Sequence, residues 1–293
     1  IDRFRDLWYS SDGCYYLNYE RHFDPSRKVM RDLWFGKKDN FLNSYRFVYN
    51  KENKIKFEID SSKYSVDKTT YYYEANGDET RIYENSDGDF FSHTFKRFKD
   101  NKLVTSKSMD EHGVVDEFKY YYNSDGKLSY RFYKNPNVWK KTSERTHTYG
   151  VQDTIGTFYK DLINEYDSKG RLIKIYRYSL YDDRNYEKPI LTNTQVYEYD
   201  DIGNMTMMNN NYYFVYDKKN RLIQKNCCKD NNGKPRVYQK YKYNDKNQIK
   251  ELEYFGENKV HKAVFRYKYD ENNNWIEIVK NVDGKDMYKW IRE

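Results

Sequence analysis

One phrase recurs along this 293-residue chain: an aromatic residue, any residue, Tyr, Asp or Asn, a short polar turn, a basic residue, then Leu or Ile. It is clearest over residues 165–173, and it returns at 197–205 and 214–223. Further copies are Tyr241-Lys242-Tyr243-Asn244, Tyr267-Lys268-Tyr269-Asp270, Tyr120-Tyr121-Tyr122-Asn123 and Phe47-Val48-Tyr49-Asn50. Residues two apart on a strand share a face, so each copy sets two aromatic rings side by side. Asp or Asn then opens a turn, because its side chain can bond backbone two residues on. The next residue, Gly126, Gly170, Gly203 or Asn220, tolerates the positive φ that tight hairpin loops require. Leu or Ile begins the return strand. Each copy is thus a β-hairpin corner. The phrase predicts an all-β chain: an extended antiparallel meander of repeated hairpins, its sheet strongly twisted or coiled, open or partly closed.

The phrase resembles the YD repeat of the Rhs family, whose consensus is close to Tyr-Asp-x-x-Gly-Arg-Leu. Residues 166–172 match it directly; 199–205 carry Asn204 and Met205 in place of Arg and Leu, and 216–222 carry Asn220 in place of Gly. The likeness is good over 160–280, patchy over 40–130 and absent at the N-terminus. In that family such repeats build long sheets that coil into a shell, often around a toxin segment. This chain is short for a large shell, and the repeat runs almost to Glu293. The resemblance therefore implies a β-sheet scaffold more firmly than toxin delivery.

A mean hydropathy of −1.20 with 34% charged residues would ordinarily suggest disorder. The 35 Tyr and 16 Phe argue the other way, since aromatic residues favour strands and bury large areas. The interior should be tyrosine-lined rather than thickly aliphatic. The net charge of +7 is interleaved, as in Lys37-Lys38-Asp39, which fits solvated strands and protected edges and argues against a nucleic-acid partner. Three cysteines, Cys14, Cys227 and Cys228, are too few for a disulfide scaffold, and their redox state stays open. No apolar run reaches the length of a membrane span. The chain starts at Ile1 rather than Met, so a signal or lipoprotein leader is expected to have been removed, with the bacterial cell envelope or the exterior as destination.

Along the chain, 1–293 reads as a single elongated repeat body. Residues 1–40 are divergent strands, 41–133 irregular repeats, 134–160 an inserted loop, and 161–293 the regular repeats. A second insertion runs from Asp182 to Pro189. Long hairpin-end loops on a rigid sheet are where function concentrates. The aromatics outside the repeat, Trp139, Tyr149, Tyr181 and Tyr186, are therefore the candidate partner-binding residues.

Chemistry is harder to find. His22, His93, His112, His147 and His261 include no pair at metal-ligand or acid/base spacing. There is no nucleophile elbow, zincin motif or phosphate loop, and no cofactor motif. The acidic turns at 200–204 and 230–233 offer oxygen ligands but lack a calcium loop's spacing; they are more simply turns. The expectation is a non-enzymatic surface or secreted scaffold that binds a protein or a glycan. The alternatives are an accessory component of a toxin-delivery or assembly system, or a polysaccharide hydrolase. The hydrolase would need two carboxylates in one pocket, at least one with a raised pKa.

Overall fold

The structure, a computed structural model, describes residues 18–35, 40–62, 64–84, 90–110, 113–134, 158–179, 189–229, 233–256 and 259–292. Every regular element among them is a strand: β1 (Asn18–Phe23), β2 (Val29–Phe35), β3 (Phe41–Tyr49), β4 (Ile55–Ser62), β5 (Val66–Tyr73), β6 (Glu79–Glu84), β7 (Phe90–Lys99), β8 (Lys102–Asp110), β9 (Gly113–Tyr122), β10 (Leu128–Lys134), β11 (Tyr159–Tyr166), β12 (Leu172–Ser179), β13 (Ile190–Tyr199), β14 (Met205–Met208), β15 (Tyr212–Tyr216), β16 (Leu222–Lys229), β17 (Pro235–Tyr243), β18 (Ile249–Phe255), β19 (Val260–Tyr269), β20 (Trp275–Val282) and β21 (Lys285–Ile291). From β1 to β11 each strand pairs antiparallel with the next. The same holds from β13 to β21. The fold is the all-β meander that the phrase predicts.

The turns explain the phrase letter by letter. In 167–171, Asp167 N–H donates to Arg171 O and Gly170 N–H to Asp167 O, both at 2.9 Å. This is a three-residue hairpin loop: a tight turn closed by one residue in the left-handed region, with an accompanying bulge. The same pair of bonds closes the turns that open at Asp24, Asn50, Glu74, Asn123, Asp200, Asp217, Asn244 and Asp270. At the fourth position φ is positive throughout, including Gly126 (77°), Gly170 (73°), Gly203 (99°) and Asn220 (63°). In all of these turns but the one at Glu74, the opening Asp or Asn accepts the N–H four residues on through Oδ1, as Asp167 does from Arg171 at 2.8 Å. The basic letter has its own bond: Arg171 Nε to Asp167 Oδ2 at 2.7 Å and Arg221 Nε to Asp217 Oδ2 at 2.8 Å.

The tyrosine before the turn ties one hairpin to the one before it. Tyr49, Tyr73, Tyr122, Tyr199, Tyr216 and Tyr243 donate their hydroxyls to the carbonyls of Val29, Ile55, Leu103, Leu172, Met205 and Leu222, at 2.7–3.0 Å. Each acceptor begins, or nearly begins, the return strand of the preceding hairpin. That hairpin's basic residue then lies over the same ring: Lys28 over Tyr49, Lys54 over Tyr73, Arg171 over Tyr199, Arg221 over Tyr243. Farther along, Tyr267 takes the carbonyl of Ile249, while Tyr269 donates to the Gln248 side chain.

The chain divides into two compact units. Among the described residues, one holds Tyr166–Ile175 and Thr194–Glu293. Its core is a cross-strand row, Tyr241, Leu252, Ala263 and Val282, joined by Ile249, Phe265 and Ile278. Leu252 and Ala263 are fully buried, and Tyr254, Tyr267, Trp275 and Trp290 pack around them. Lys280 is buried on this face opposite Phe265, with its ammonium 5.8 Å from the ring centre. The opposite face carries ion-pair rows, Lys242–Glu251–Lys262 and Lys268–Glu277–Lys289.

The other unit spans Tyr15–Glu165 and Tyr176–Asn193. Its interior is more polar. Asp32 is buried and held by Arg21 through two bonds of 2.7 and 2.8 Å. Across the ladder stand Tyr45 and then Asp60. A hydrogen bond to Asp60, helped by burial, pushes the Tyr45 hydroxyl up to about 12.

Candidate binding face

The run Tyr120-Tyr121-Tyr122 ends β9, and alternation sends its middle ring to the face opposite its neighbours. Tyr122 pins Leu103, and Tyr120 pairs with the Ser106 hydroxyl at 3.3 Å. On their face, Phe118 stacks on Tyr133 at 4.9 Å and Arg131 lies 4.3 Å from the Phe118 ring centre. Arg131 also pairs with the buried Asp161, and Tyr133 donates to Asp116. That face is saturated with partners.

Tyr121 faces the other way and is 39% exposed. It stands across from Tyr130 in the β9–β10 ladder, with the rings stacked at 4.8 Å. Phe132, two residues along β10, meets both rings edge-on at 5.6 and 5.8 Å. Lys160 on β11, opposite Phe132, places its Nζ 4.4 Å from the Tyr130 centre. Lys119, also opposite Phe132, holds its Nζ 3.8 Å from the Phe158 ring, and Lys134 approaches the same ring at 5.9 Å. Four rings and three ammonium groups thus share one face of three adjacent strands.

What distinguishes this face is that three ring-held lysines gather on it. Lys119, Lys134 and Lys160 rest on rings and have no carboxylate within ion-pair distance among the described residues. The acid opposite Lys134 in the ladder, Glu117, lies 4.0 Å from Lys107. Contrast the depression of about 550 Å³ lined by Arg266, Tyr267, Lys268, Glu277, Asp286 and Lys289 among others. There the charges are already matched, with Arg266–Asp286 at 2.7 Å beside the Lys268–Glu277–Lys289 row. A ring holds an exposed cation by about 0.5–1 kcal/mol without cancelling its charge, so a ring-parked lysine stays available to an anion.

Every carboxylate with a resolved shift lies below its ordinary value, among them Asp167, through the Arg171 backbone N–H, and Glu251, through Lys242 and Lys262. Among the described residues no group of three or more His, Cys, Asp or Glu could hold a metal ion. No helix among them is long and apolar enough to cross a membrane.

The candidates Trp139, Tyr149, Tyr181 and Tyr186 lie outside the described residues. Gly126, Gly170, Gly203 and Asn220 each occupy the left-handed position assigned to them. The face built by Tyr121, Tyr130, Phe132 and Phe158 was not singled out by the sequence reading. One signal was present: three consecutive tyrosines cannot all face the same way. Lys134, Phe158 and Lys160 fall at the two ends of the stretch 134–160 read as the first insertion, with Lys134 closing β10 and Lys160 in β11.

No protein-family model matches the chain, and a search of the curated proteins finds no match. Solved structures do resemble it. A mutant Tc holotoxin pore of Photorhabdus luminescens aligns with a TM-score of 0.42 and 12% identity, covering 89% of this chain and 15% of that one. The TcdB2–TccC3 complex without its hypervariable C-terminal region gives 0.36 and 11%, covering 92% and 14%. A porin-like protein of Bacteroides uniformis gives 0.27 and 9%, covering 94% of each chain. This chain therefore spans about one seventh of the first two.

Proposed function

We propose that this chain is a non-enzymatic β-repeat binding module, secreted or displayed on the cell envelope, that takes an acidic glycan on the face of β9, β10 and β11. The observation that carries the reading is the set of three ring-held lysines, without carboxylate partners among the described residues, beside an exposed tyrosine. Flat rings suit the apolar faces of pyranose units. Ammonium groups between them suit carboxylates or sulfates projecting from the same chain. Because each lysine needs to leave only a ring, binding does not have to break an existing ion pair.

The test is binding to immobilised polygalacturonate and alginate, with neutral dextran and single-stranded DNA beside them. Acidic glycans should bind, with affinity falling as salt rises. A variant with Lys119, Lys134 and Lys160 all changed to Ala should lose binding while its β-sheet circular dichroism is unchanged. Equal retention by dextran, a preference for DNA, or full binding by the triple variant would refute the reading.

A further inference from the structure

The ladder register carries the ring-held face beyond β9. Residues directly opposite one another across an antiparallel pair share a face. Lys160 stands opposite Phe132, Phe132 opposite Lys119, Lys119 opposite Thr105, and Thr105 opposite Arg97. A second row runs from Lys134 through Glu117, Lys107, Phe95 and Thr80 to Tyr72. On each of β7 to β10 the two rows lie two residues apart, so both occupy the same face.

The basic residues alternate between the rows. Arg97 on β7, Lys119 on β9 and Lys160 on β11 belong to the first, Lys107 on β8 and Lys134 on β10 to the second. Five consecutive strands therefore supply one cation each. Neighbouring strands lie about 4.8 Å apart, so the line crosses them over about 19 Å. Glu117 reaches Lys107 at 4.0 Å and Asp78 reaches Arg97 at 3.5 Å. Pairs this long and this open to solvent are weak, and an incoming anion can replace either acid. The exposed rings of Phe95 and Tyr72 prolong the second row as far as β5.

We propose, resting on the acidic-glycan reading above, that the glycan lies across the strands from β11 to β7 and is a polyuronate, with a carboxylate on every sugar. A pyranose unit is close to one strand spacing in length. A charge on each unit then meets a cation on each strand. A glycan charged on every second unit leaves alternate cations unmatched, and a neutral one leaves them all. Because the line spans several sugars, it takes the interior of a chain, and affinity grows with chain length until the five cations are matched.

The experiment is calorimetric titration of the full chain with trigalacturonate, octagalacturonate and a hyaluronan octasaccharide, whose carboxylates fall on alternate sugars. Octagalacturonate should bind at least about tenfold more tightly than trigalacturonate, because linked contacts multiply affinity. It should also bind more tightly than the hyaluronan of equal length. Arg97→Ala combined with Lys107→Ala lies outside the β9–β11 face. That variant should keep its β-sheet circular dichroism, bind trigalacturonate as the parent does, and lose the advantage of the octamer. Equal affinity of the parent for both galacturonates would overturn the proposal. So would hyaluronan binding as tight as that of octagalacturonate, or a double variant that keeps the gain with length. In each of these cases trigalacturonate still binds, and the reading of the β9–β11 face survives. Failure of every galacturonate to bind overturns both.

Discussion

Tyr199 donates its hydroxyl proton to the carbonyl of Leu172 at 2.9 Å, and the guanidinium of Arg171 lies 5.0 Å from the centre of the same ring. A single side chain thus satisfies the backbone of one hairpin and receives the cation of its turn. Tyr199→Phe keeps the ring and the cation but leaves the carbonyl without this donor. The expected cost is about 1 kcal/mol. In urea titration the midpoint should fall with the slope unchanged, and Tyr243→Phe, which frees Leu222, should behave alike.

Turn strain can be separated from turn packing at two positions. A β-carbon on Gly203 would meet nothing within 4 Å, yet φ there is 99°. Gly203→Ala should therefore destabilise by about 1–2 kcal/mol through the backbone alone. Asn220 already has a side chain at φ 63°, and its Oδ1 accepts from Asn204 at 2.8 Å. In Asn220→Gly, lost strain and lost hydrogen bond oppose each other, so thermal denaturation should show a change within about 0.5 kcal/mol.

Acid should loosen the turns. Asp283 is held down to about 2, first by the Lys262 N–H and then by His261 and Lys259. Its unfolded value is near the ordinary ~3.9. The folded form thus binds its proton less readily, and this stabilisation is complete above about pH 4 and drains away as pH falls toward 2. Asp217, lowered first by the Arg221 side chain, and Asp270, lowered first by Asn274, act in the same direction. Denaturation midpoints measured from pH 5 to pH 2 should fall, and Asp283→Asn should flatten that limb. A parent midpoint flat across this range would contradict the argument.

Binding and stability should separate at Tyr121. At 39% exposed, Tyr121 buries less than its neighbour Tyr122, so Tyr121→Ala should cost less stability than Tyr122→Ala. Acidic-glycan affinity should nevertheless drop at least about tenfold. Tyr122→Ala should do the reverse, since that ring anchors Leu103 on the opposite face.

Much of the fold was legible because the phrase encodes contacts that lie close together in sequence. A turn such as Asp167–Arg171 is specified within five residues, and its Gly170 and the following Leu172 are visible as letters. The partner of Tyr199 was not, because Leu172 lies 27 positions back and the link exists only once register is set. The binding face stayed hidden for the same reason. That Lys160 rests on Tyr130 while Lys242 meets Glu251 depends on which strands align, and both look alike in an interleaved composition. The left-handed Cys228 breaks the rule that reserves such positions for Gly and Asn, so no local pattern announces it.

The tyrosine links also give the array a direction. Each ring reaches back to the hairpin made before it, so a turn emerging from the ribosome stays unsealed until the next strand is synthesised and delivers its hydroxyl. The two ends of such an array are not equivalent. Cutting strands from the late end strips finished turns of their seal, whereas cutting from the early end only leaves a tyrosine with nothing to hold.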